Sequence, residues 1–472
     1  MAKHEVVYPQ VGCLASGSAH QEGKLVAIMK SKPTYVDLFA GIGGFAAVFE
    51  ALGLKNEKSV EFDLHASGIY KLNWGHDALG DVTKLSPDDQ PSEISNHSVL
   101  SAGFPCQPFS KSGAQAGILD KSRGTLFHNI LNTVASANPK LILLENVRNL
   151  AGPKHAKDLQ TIIYSLRALG YRVSDEPLFL SPHKIPFEFG GRPQSRDRLF
   201  IVATYVGLAD EKALHATPLN VPWLESLNWD PKSWDLYDFI DEKADAETAL
   251  SEVELLTLEA WEDFITIVRE HGHSIPSHPL WTDFWGSNES LDQFPGWKQR
   301  FIIQNQNFYN QLKKPLDGWL AKWDIRNPNK FTASKRKFEW QAGQMDSIYS
   351  GIVHFRPSGV RVKEANYFPA LVAITQTPVL GKLRRRISVR EAARLQGLPD
   401  WFTFGNQSVA KSLKQLGNGV NVGVVWNVLK AAVLRDRDWL LLSQDGANLV
   451  DAIESSPKSP DLVFSEFNPQ GG

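Results

Sequence analysis

One cysteine in this sequence lies in surroundings that suit chemistry better than packing. Cys106 is one of only 2 cysteines in 472 residues, and it stands between Pro105 and the pair Gln107-Pro108. Because proline restricts the backbone on both sides and cannot continue a helix, we expect Cys106 in a tight loop. A thiolate held in such a loop is a strong nucleophile. The alternative is a buried, unreactive thiol, which is the usual state of a free cysteine.

A glycine-rich turn comes earlier in the chain. The apolar run that starts at Tyr35 breaks at Gly41, Gly43 and Gly44, and apolar residues then recur at helical spacing. This pattern predicts a strand, a loop and a helix. Because glycine has no side chain, a ligand could approach the backbone of this loop closely. The free N–H groups at the N-terminus of the helix could then donate hydrogen bonds to the ligand. The same glycines fit the loose dinucleotide pattern, so NAD is an alternative ligand.

Two carboxylates follow the glycine loop at intervals typical of a nucleotide site. Glu61 follows Asp37 by slightly more than the ~20 residues after which a doubly wound sheet places an acid on ribose hydroxyls. Asp81 follows after a similar interval and could contact an adenine amino group. A solvated surface acid is the alternative for either residue.

A third carboxylate and two arginines come from later apolar runs. The run 141–147 contains Glu145 and Asn146 near its end, and open α/β sheets place their sites at the carboxyl ends of strands. Arg196 and Arg198 precede another apolar run. Residues two apart on an extended segment point to the same face, so both guanidinium groups could serve one site.

Together these motifs resemble those of DNA (cytosine-5) methyltransferases of the prokaryotic type, in that family's order, from Val36 to about Val433. The matching segments are Pro-Cys at 105–106, Arg-Gly-Thr-Leu-Phe at 123–127, Glu-Asn-Val at 145–147, Gln-x-Arg-x-Arg at 194–198, Arg-Glu-Ala-Ala-Arg-Leu-Gln-Gly at 390–397 and Gly-Asn at 417–418. The last lies in the segment 415–421, which we expect to open an apolar helix. The extended stretch 181–191 departs from the pattern and leaves the path of that loop open.

The resemblance implies a fold and a reaction. The fold would be α/β, with a doubly wound, Rossmann-like methyltransferase domain and a smaller target-recognition domain inserted before the C-terminal motifs. Cys106 would add to carbon 6 of a flipped-out cytosine, and Glu145 would stabilise the charge that develops on the ring. Arg196 and Arg198 would hold the base carbonyl, Glu145 and a phosphate, with Arg198 the nearer to the base. Asn146 would orient the loop.

The methyl donor that the resemblance implies is S-adenosylmethionine, with S-adenosylhomocysteine as product and no metal. Phe39 would stack on adenine, Glu61 would bind the ribose and Asp81 the adenine amino group. Gly41, Gly43 and Asn418 would lie at the methionine end. The full set of predicted donor-binding residues is Asp37, Phe39, Gly41, Gly43, Gly44, Glu61, Phe62, Asp81, Val82, Pro105, Leu126 and Asn418.

Most of the predicted DNA contacts lie in two segments, the loop that follows Cys106 and one run of basic residues. The loop 110–117 is rich in small residues and is predicted to close over the DNA. The run 382–386 is dense enough in positive charge to neutralise several phosphates, although a solvated face is the alternative. The predicted DNA-binding residues are Gln107, Ser110, Lys111, Arg123, Arg384, Arg385 and Arg386.

The middle of the chain differs in composition from its two ends. Ten of the 14 tryptophans lie between Trp223 and Trp340, and most are predicted to be core. An amphipathic helix is predicted over 244–270. We predict a mobile leader at 1–32, a catalytic domain at 33–214, a target-recognition domain at 215–385, a return to the catalytic domain at 386–451, and a mobile tail at 452–472.

Charge is distributed unevenly along the middle region. Residues 225–300 carry 17 acids and 5 bases, whereas residues 301–394 carry 17 bases and 6 acids. The net charge of −2 therefore conceals a basic segment that could meet DNA. We expect double-stranded DNA as the partner of this segment.

Composition also indicates a compartment. No run of about 18 apolar residues suggests a membrane span. With few cysteines and no secretory leader, the sequence predicts a cytoplasmic protein in which a reactive thiol stays reduced. We expect a monomer without membrane association, and a cognate restriction endonuclease is a candidate partner.

Two other functions stay open from the sequence. One is a tRNA cytosine-5 methyltransferase, which the long charged middle region and the complete segment 390–397 disfavour. The other is a non-catalytic DNA-binding relative, which the filled catalytic motifs disfavour. NAD binding is disfavoured too, because a dehydrogenase has no use for Cys106, Glu145 and the two arginines.

Overall fold

The structure is a computed structural model, and it describes residues 31–87, 90–105, 125–243, 246–287, 289–371 and 377–466. The chain divides into two compact units, Met1–Ser31 and Lys32–Gly472, and every element below belongs to the second. Several predictions lie outside the described residues: residues 1–30 of the leader, and Cys106, Gln107, Ser110, Lys111 and Arg123.

The first sheet has seven strands and is parallel over its first half. They are β1 (Thr34–Leu38), β2 (Lys55–Val60), β3 (Val99–Ala102), β4 (Leu141–Val147), β5 (Tyr171–Val173), β6 (Leu178–Leu180) and, after the short strand β7 (Gln194–Ser195) outside this sheet, β8 (Arg198–Tyr205). The order is β2-β1-β3-β4-β8-β5, and β6 also pairs with β8. Strands β1 to β4 are mutually parallel. Strand β8 runs antiparallel to β4, β5 and β6.

Helices cover both faces of this sheet, as the doubly wound prediction requires. Before β8 they are α1 (Gly44–Ala51), α2 (Leu64–Trp74), α3 (Val82–Leu85), α4 (Leu126–Ala137) and α5 (Ala156–Ala168). Neighbouring residues of one strand enter different cores: Val99 belongs to the core that includes Phe45 of α1, and Leu100 belongs to the core that includes Phe127 of α4. The predicted α/β fold class is therefore confirmed.

The middle of the chain builds a second sheet. This region has four helices: α6 (Pro222–Glu225), α7 (Glu252–Glu270), α8 (Gly296–Gln311) and α9 (Lys313–Trp323). The strands are β9 (Leu280–Trp281), β10 (Lys337–Gln341), β11 (Ile352–Arg356), β12 (Gly359–Lys363), β14 (Val379–Leu380) and β15 (Arg385–Arg386), in the order β15-β14-β11-β12-β10-β9. Strand β13 (Phe368–Pro369) instead pairs with β7.

Tryptophans form much of the core between this sheet and its helices. Trp261 of α7 stacks on Phe338 of β10 at 4.5 Å between ring centroids, and Trp285 and Trp319 are fully buried beside them. These residues confirm the prediction of core tryptophans, whereas Trp297 is 65% exposed. The predicted helix is also present, although it begins at Glu252, where Ser251 forms a capping box.

The chain then returns to the first sheet. The last helices are α10 (Val389–Leu395), α11 (Val409–Asn418), α12 (Val422–Leu440), α13 (Gln444–Glu454) and α14 (Pro460–Phe464). Helix α12 lies on the same side as α1, and its Val425 and Val428 are buried in that core. Among the described residues, no helix is both long enough and apolar enough to cross a membrane.

The predicted mobile tail is wrong for residues 452–466. Helix α14 places Phe464 in the core of the first sheet, and Asp461 accepts a hydrogen bond from Nη1 of Arg192 at 3.1 Å. A helix of one turn is too short to show periodicity in the sequence, so its packing could not be predicted. Residues 467–472 lie outside the described part of the chain.

Candidate active site

A cavity of about 840 Å³ opens at the carboxyl ends of β1, β3 and β4. This is the edge at which an open α/β sheet places its site. Of the predicted site residues, those that line the cavity are Phe39, Gly41, Glu61, Pro105, Glu145, Arg196, Arg198 and Asn418. Tertiary structure thus brings together groups that the sequence spreads over most of the chain.

The loop after β1 forms one wall of the cavity. Gly41 has φ +58°, and a Cβ atom there would meet nothing within 4 Å, so this backbone is open to a ligand. Its N–H donates to Oε2 of Glu61 at 2.8 Å, and the N–H of Asp63 donates to Oε1 at 2.7 Å. Phe39 also has a positive φ, 59°, which an aromatic residue rarely adopts. The loop and the carboxylate therefore hold each other in place.

The other two glycines of the loop are required by packing, and their predicted contact with the ligand stays a prediction. A Cβ atom at Gly43 would lie 2.0 Å from Nε1 of Trp74. A Cβ atom at Gly44 would lie 2.7 Å from both the side chain and the carbonyl oxygen of Val420. Glycine is required at these positions because α1 approaches α2 and the segment before α12 closely.

Besides Gly43 and Gly44, five predicted donor-binding residues are not among those that line the cavity in the described part of the chain. Asp37 is completely buried, accepts a hydrogen bond from Ser101 at 2.7 Å, and has its pKa raised to about 7 by burial. Asp81 caps α3 by accepting from the Thr83 N–H at 3.0 Å. The other three are core or rim residues: Val82 is buried, Leu126 is half-buried and Phe62 is 78% exposed.

The opposite wall carries the predicted acid. Glu145 lies near the end of β4, and its Oε1 is 2.9 Å from Nε of Arg198. Burial raises the pKa of Glu145 above the usual carboxyl range, although Arg198 and Arg196 act in the opposite direction. Glu145 therefore favours its neutral form more than an exposed glutamate does.

The segment that leads to Cys106 is tied to the same wall. Asn146 donates from Nδ2 to the carbonyl oxygen of Phe104 at 2.9 Å. Pro105 lines the cavity. The chain thus reaches the cavity one residue before Cys106, and the contact made by Asn146 orients this segment, as the sequence predicted.

Arg196 has a different environment from Arg198. It is 2% exposed, and its guanidinium donates to the carbonyl oxygens of Leu371 at 2.9 Å, Gly417 at 2.8 Å and Gly419 at 2.6 Å. These bonds occupy the groups predicted to hold the base. Arg196 therefore joins two walls of the cavity, and the contact of either arginine with a base stays a prediction.

The third wall is the end of α11, which the sequence reading described incompletely. The segment 415–421 opens an apolar helix, as predicted, and it also ends another: α11 ends at Asn418, and Asn421 caps α12 by accepting from the Val424 N–H at 3.0 Å. The sequence reading missed cavity residues on α11 and α2: His65, Lys411, Lys414 and Gln415. Spacings of three, four and seven along α11 are the signal that could have identified the α11 members.

The predicted phosphate contact at Arg385 is wrong. This side chain is 8% exposed and forms two hydrogen bonds to the buried Glu391, at 2.7 and 2.9 Å. Arg386 pairs with Glu254, and Arg384 lies over the ring of Tyr349 at 4.3 Å. A basic run in the sequence cannot reveal the acids that tertiary structure places against it.

Comparison with known proteins agrees with this site. Residues 34–433 match the model of the C-5 cytosine-specific DNA methylase family. The chain is 37% identical to the type II methyltransferase M.AluI of Cellulosimicrobium cellulans, over 90% of this chain and 96% of that protein. It is 30% identical to M.BanI of Aneurinibacillus aneurinilyticus, over 84% of this chain and 95% of that protein.

A further similarity is to a solved structure. The S. pombe Dnmt2 methyltransferase matches 85% of this chain and 99% of its own, with 17% identity and a TM-score of 0.46. The family match extends from β1 through most of α12 and includes all the cavity walls. The chain belongs to the C-5 cytosine-specific DNA methylase family, whose members depend on S-adenosylmethionine.

Proposed function

We propose that the chain is a sequence-specific DNA cytosine-5 methyltransferase and the modification enzyme of a bacterial type II restriction–modification system. Its family and its type II methyltransferase relatives support this proposal. The observation that carries it is one cavity shared by the loop at Gly41 and Glu61 and the pair Glu145 and Arg198. A methyl donor and a base could meet there.

S-adenosylmethionine suits the loop end of this cavity. Glu61 is oriented by two backbone amides and keeps lone pairs for ribose hydroxyls, and Gly41 has no side chain to obstruct a ligand. The volume of about 840 Å³ is within the range of small-molecule sites. Phe39 would contact the adenine, and Asn418 would lie at the methionine end. When bound, the donor supplies a methyl group on a positively charged sulfur.

The base would enter at the end where Glu145 lies. Carbon 5 of cytosine is a weak nucleophile, so we propose that the Cys106 thiolate first adds to carbon 6 and makes carbon 5 electron-rich. Negative charge then develops on the ring. Glu145 would offset it by holding a proton at ring nitrogen 3, which its raised pKa favours. Arg198 would orient the Glu145 carboxyl from 2.9 Å.

The two sheets would divide the work. Residues 33–214 and 386–466 would form the catalytic part, because α14 packs with the first sheet, and residues 215–385 would form the target-recognition part. The target cytosine must leave the duplex, which costs a few kcal/mol. We propose that the protein acts as a monomer, opposite a restriction endonuclease that cleaves the same site.

Methyl transfer from labelled donor tests this proposal. The parent protein should label duplex DNA and not tRNA, and bisulfite sequencing of the product should locate the modified cytosine. Cys106→Ala should lose transfer and keep its affinity for donor and DNA, because one thiol in a loop contributes little to folding. Labelling of tRNA in place of DNA, or activity of Cys106→Ala within tenfold of the parent, would contradict the proposal.

A further inference from the structure

The second sheet presents a face that none of the roles above uses. Alternate side chains of a strand point to opposite sides, and Phe338, Val353 and Val362 belong to the buried core that includes residues of α7 and α9. The residues between them form the opposite face, which we call the basic sheet face: Glu339, His354, Arg356, Arg361 and Lys363.

The members of the basic sheet face are neighbours across strands. Arg361 stands in register with His354 of β11 and with Glu339 of β10. Glu339 accepts from Nη2 of Arg356 at 2.7 Å and from Nε of Arg361 at 2.9 Å. Because one carboxylate orders both arginines, their remaining N–H groups are oriented before a ligand arrives.

Positive charge on this face exceeds what its own carboxylate can balance. Arg356, Arg361 and Lys363 share the single acid Glu339. Burial, followed by the charges of these three cations, lowers the pKa of His354 to about 4. Burial and the two arginines also lower the pKa of Lys363. An anion bound here would relieve this repulsion.

Two nitrogen atoms of the face lack a hydrogen-bond partner in the described part of the chain. They are Nε2 of His354, a residue only 8% exposed, and Nε of Arg356. Buried polar atoms in native proteins are nearly always hydrogen-bonded, so an unpartnered one indicates that a water molecule or a ligand completes the site. His354 and Arg356 are two residues apart on β11, so their side chains lie next to each other on the same face of the sheet.

The face is continuous with the catalytic part of the molecule. Ile352 and Leu380 stand in register on the same side of the sheet, and both are buried in the core of the first sheet. After β12 the chain continues to β13, which pairs with β7. Leu371 follows, lines the cavity and accepts the hydrogen bond from Arg196. The basic sheet face therefore lies on the side of the second sheet that packs against the core of the first sheet, which carries the cavity.

We propose that the basic sheet face binds the phosphate backbone of the duplex whose cytosine enters the cavity. This inference rests on the proposed action on duplex DNA. The two oriented guanidinium groups match pairs of phosphate oxygens, and Lys363 adds a compact charge beside them. The run 382–386 is less suited, because Arg385 and Arg386 each pair with an acid of their own, whereas Arg356 and Arg361 share one acid.

The salt dependence of DNA affinity tests this assignment. Arg361→Gln combined with Lys363→Gln should reduce the slope of log affinity against log salt by roughly 2, since each lost phosphate contact lowers it by about 1. The matched control is Lys322→Gln combined with Lys330→Gln, which removes the same charge from α9 and the segment after it. The control should keep the parent's slope.

Single variants separate binding from folding. Lys363→Gln leaves the pairs with Glu339 intact and should lower the slope by about 1. Donor affinity of each variant, measured by calorimetry, reports whether the catalytic part is folded. Equal slopes for Lys363→Gln, for the double variant and for the control would overturn the proposal. A parent that binds duplex DNA without methylating it would contradict the proposed function instead, and the slopes would still decide the role of the face.

Discussion

Glu145 is subject to two opposing influences. Burial favours the neutral acid, whereas the guanidinium of Arg198, 2.9 Å from Oε1, favours the carboxylate. Burial is the larger effect, so the acid keeps its proton to a higher pH than an exposed glutamate would. In the proposed reaction this proton offsets the charge that addition of the thiolate places on the ring.

A duplex with 5-fluorocytosine at the target position measures this role, because fluorine cannot leave as a cation and the protein stays attached. In the presence of donor, Glu145→Gln should form the adduct about 10²- to 10⁴-fold more slowly than the parent, as is typical of acid–base groups. The parent's rate should fall on the alkaline side as Glu145 loses its proton, and the variant should lack that fall.

Cys106→Ala is the control for trapping and should form no adduct. If Glu145→Gln traps as fast as the parent, another group carries the charge on the ring. Arg198 would then be the candidate, since it lines the cavity and lies beside Glu145.

The element that matters most for the donor site is the loop between β1 and α1. Its glycines have separate duties: Gly41 is open to the cavity, whereas Gly43 lies against Trp74. Trp74 also donates from Nε1 to the carbonyl oxygen of Ile42 at 3.0 Å, and this bond fixes the loop to α2. Substitutions at the two glycines should therefore have different effects.

Gly43→Ala should lower the free energy of unfolding by at least about 2 kcal/mol, because its Cβ atom would meet the indole at 2.0 Å in a left-handed conformation. Gly41→Ala should cost about 1 kcal/mol from its positive φ alone. It should weaken donor affinity roughly tenfold, which corresponds to about 1.4 kcal/mol. Urea unfolding and calorimetry measure the two effects. Equal losses of stability would refute this division.

At the scale of the whole molecule, a buried ion pair joins the two sheets. Arg385 belongs to β15 of the second sheet, and Glu391 belongs to α10, whose Ala392 and Ala393 are buried in the core of the first. Glu391 also accepts from the N–H of Asp241 at 2.9 Å, so the start of the inserted region is held at the same point. The placement of the second sheet depends on this link.

Arg385→Gln should therefore destabilise the protein by about 3–5 kcal/mol, because it leaves Glu391 buried without its partner. Arg384→Gln, its neighbour on the surface, should change stability by less than about 1 kcal/mol. Urea unfolding measures both. The salt slope of DNA binding should be unchanged in Arg384→Gln, and a reduced slope would restore the basic run as a DNA contact.

Local sequence was sufficient for the motifs and the strands that carry them. Apolar runs predicted β1, β4 and β8, and the residues at their ends predicted one edge of the sheet as the site. Glu61, Glu145 and Arg198 could be identified because each lies in or beside a short segment whose periodicity or family resemblance can be read from the local sequence. All three residues line one cavity.

Long-range packing decided the rest. The sequence cannot show that Gly43 faces Trp74, that Arg385 faces Glu391 or that Arg196 bonds to Leu371 and Gly417, because each pair is brought together only by folding. The same holds for the basic sheet face, whose residues come from three strands and form no run in the sequence. The chain by itself therefore determined the reaction and the residue types. Tertiary structure decided which charges can act on a ligand, because folding places one acid against each of Arg385 and Arg386 but only one acid against both Arg356 and Arg361.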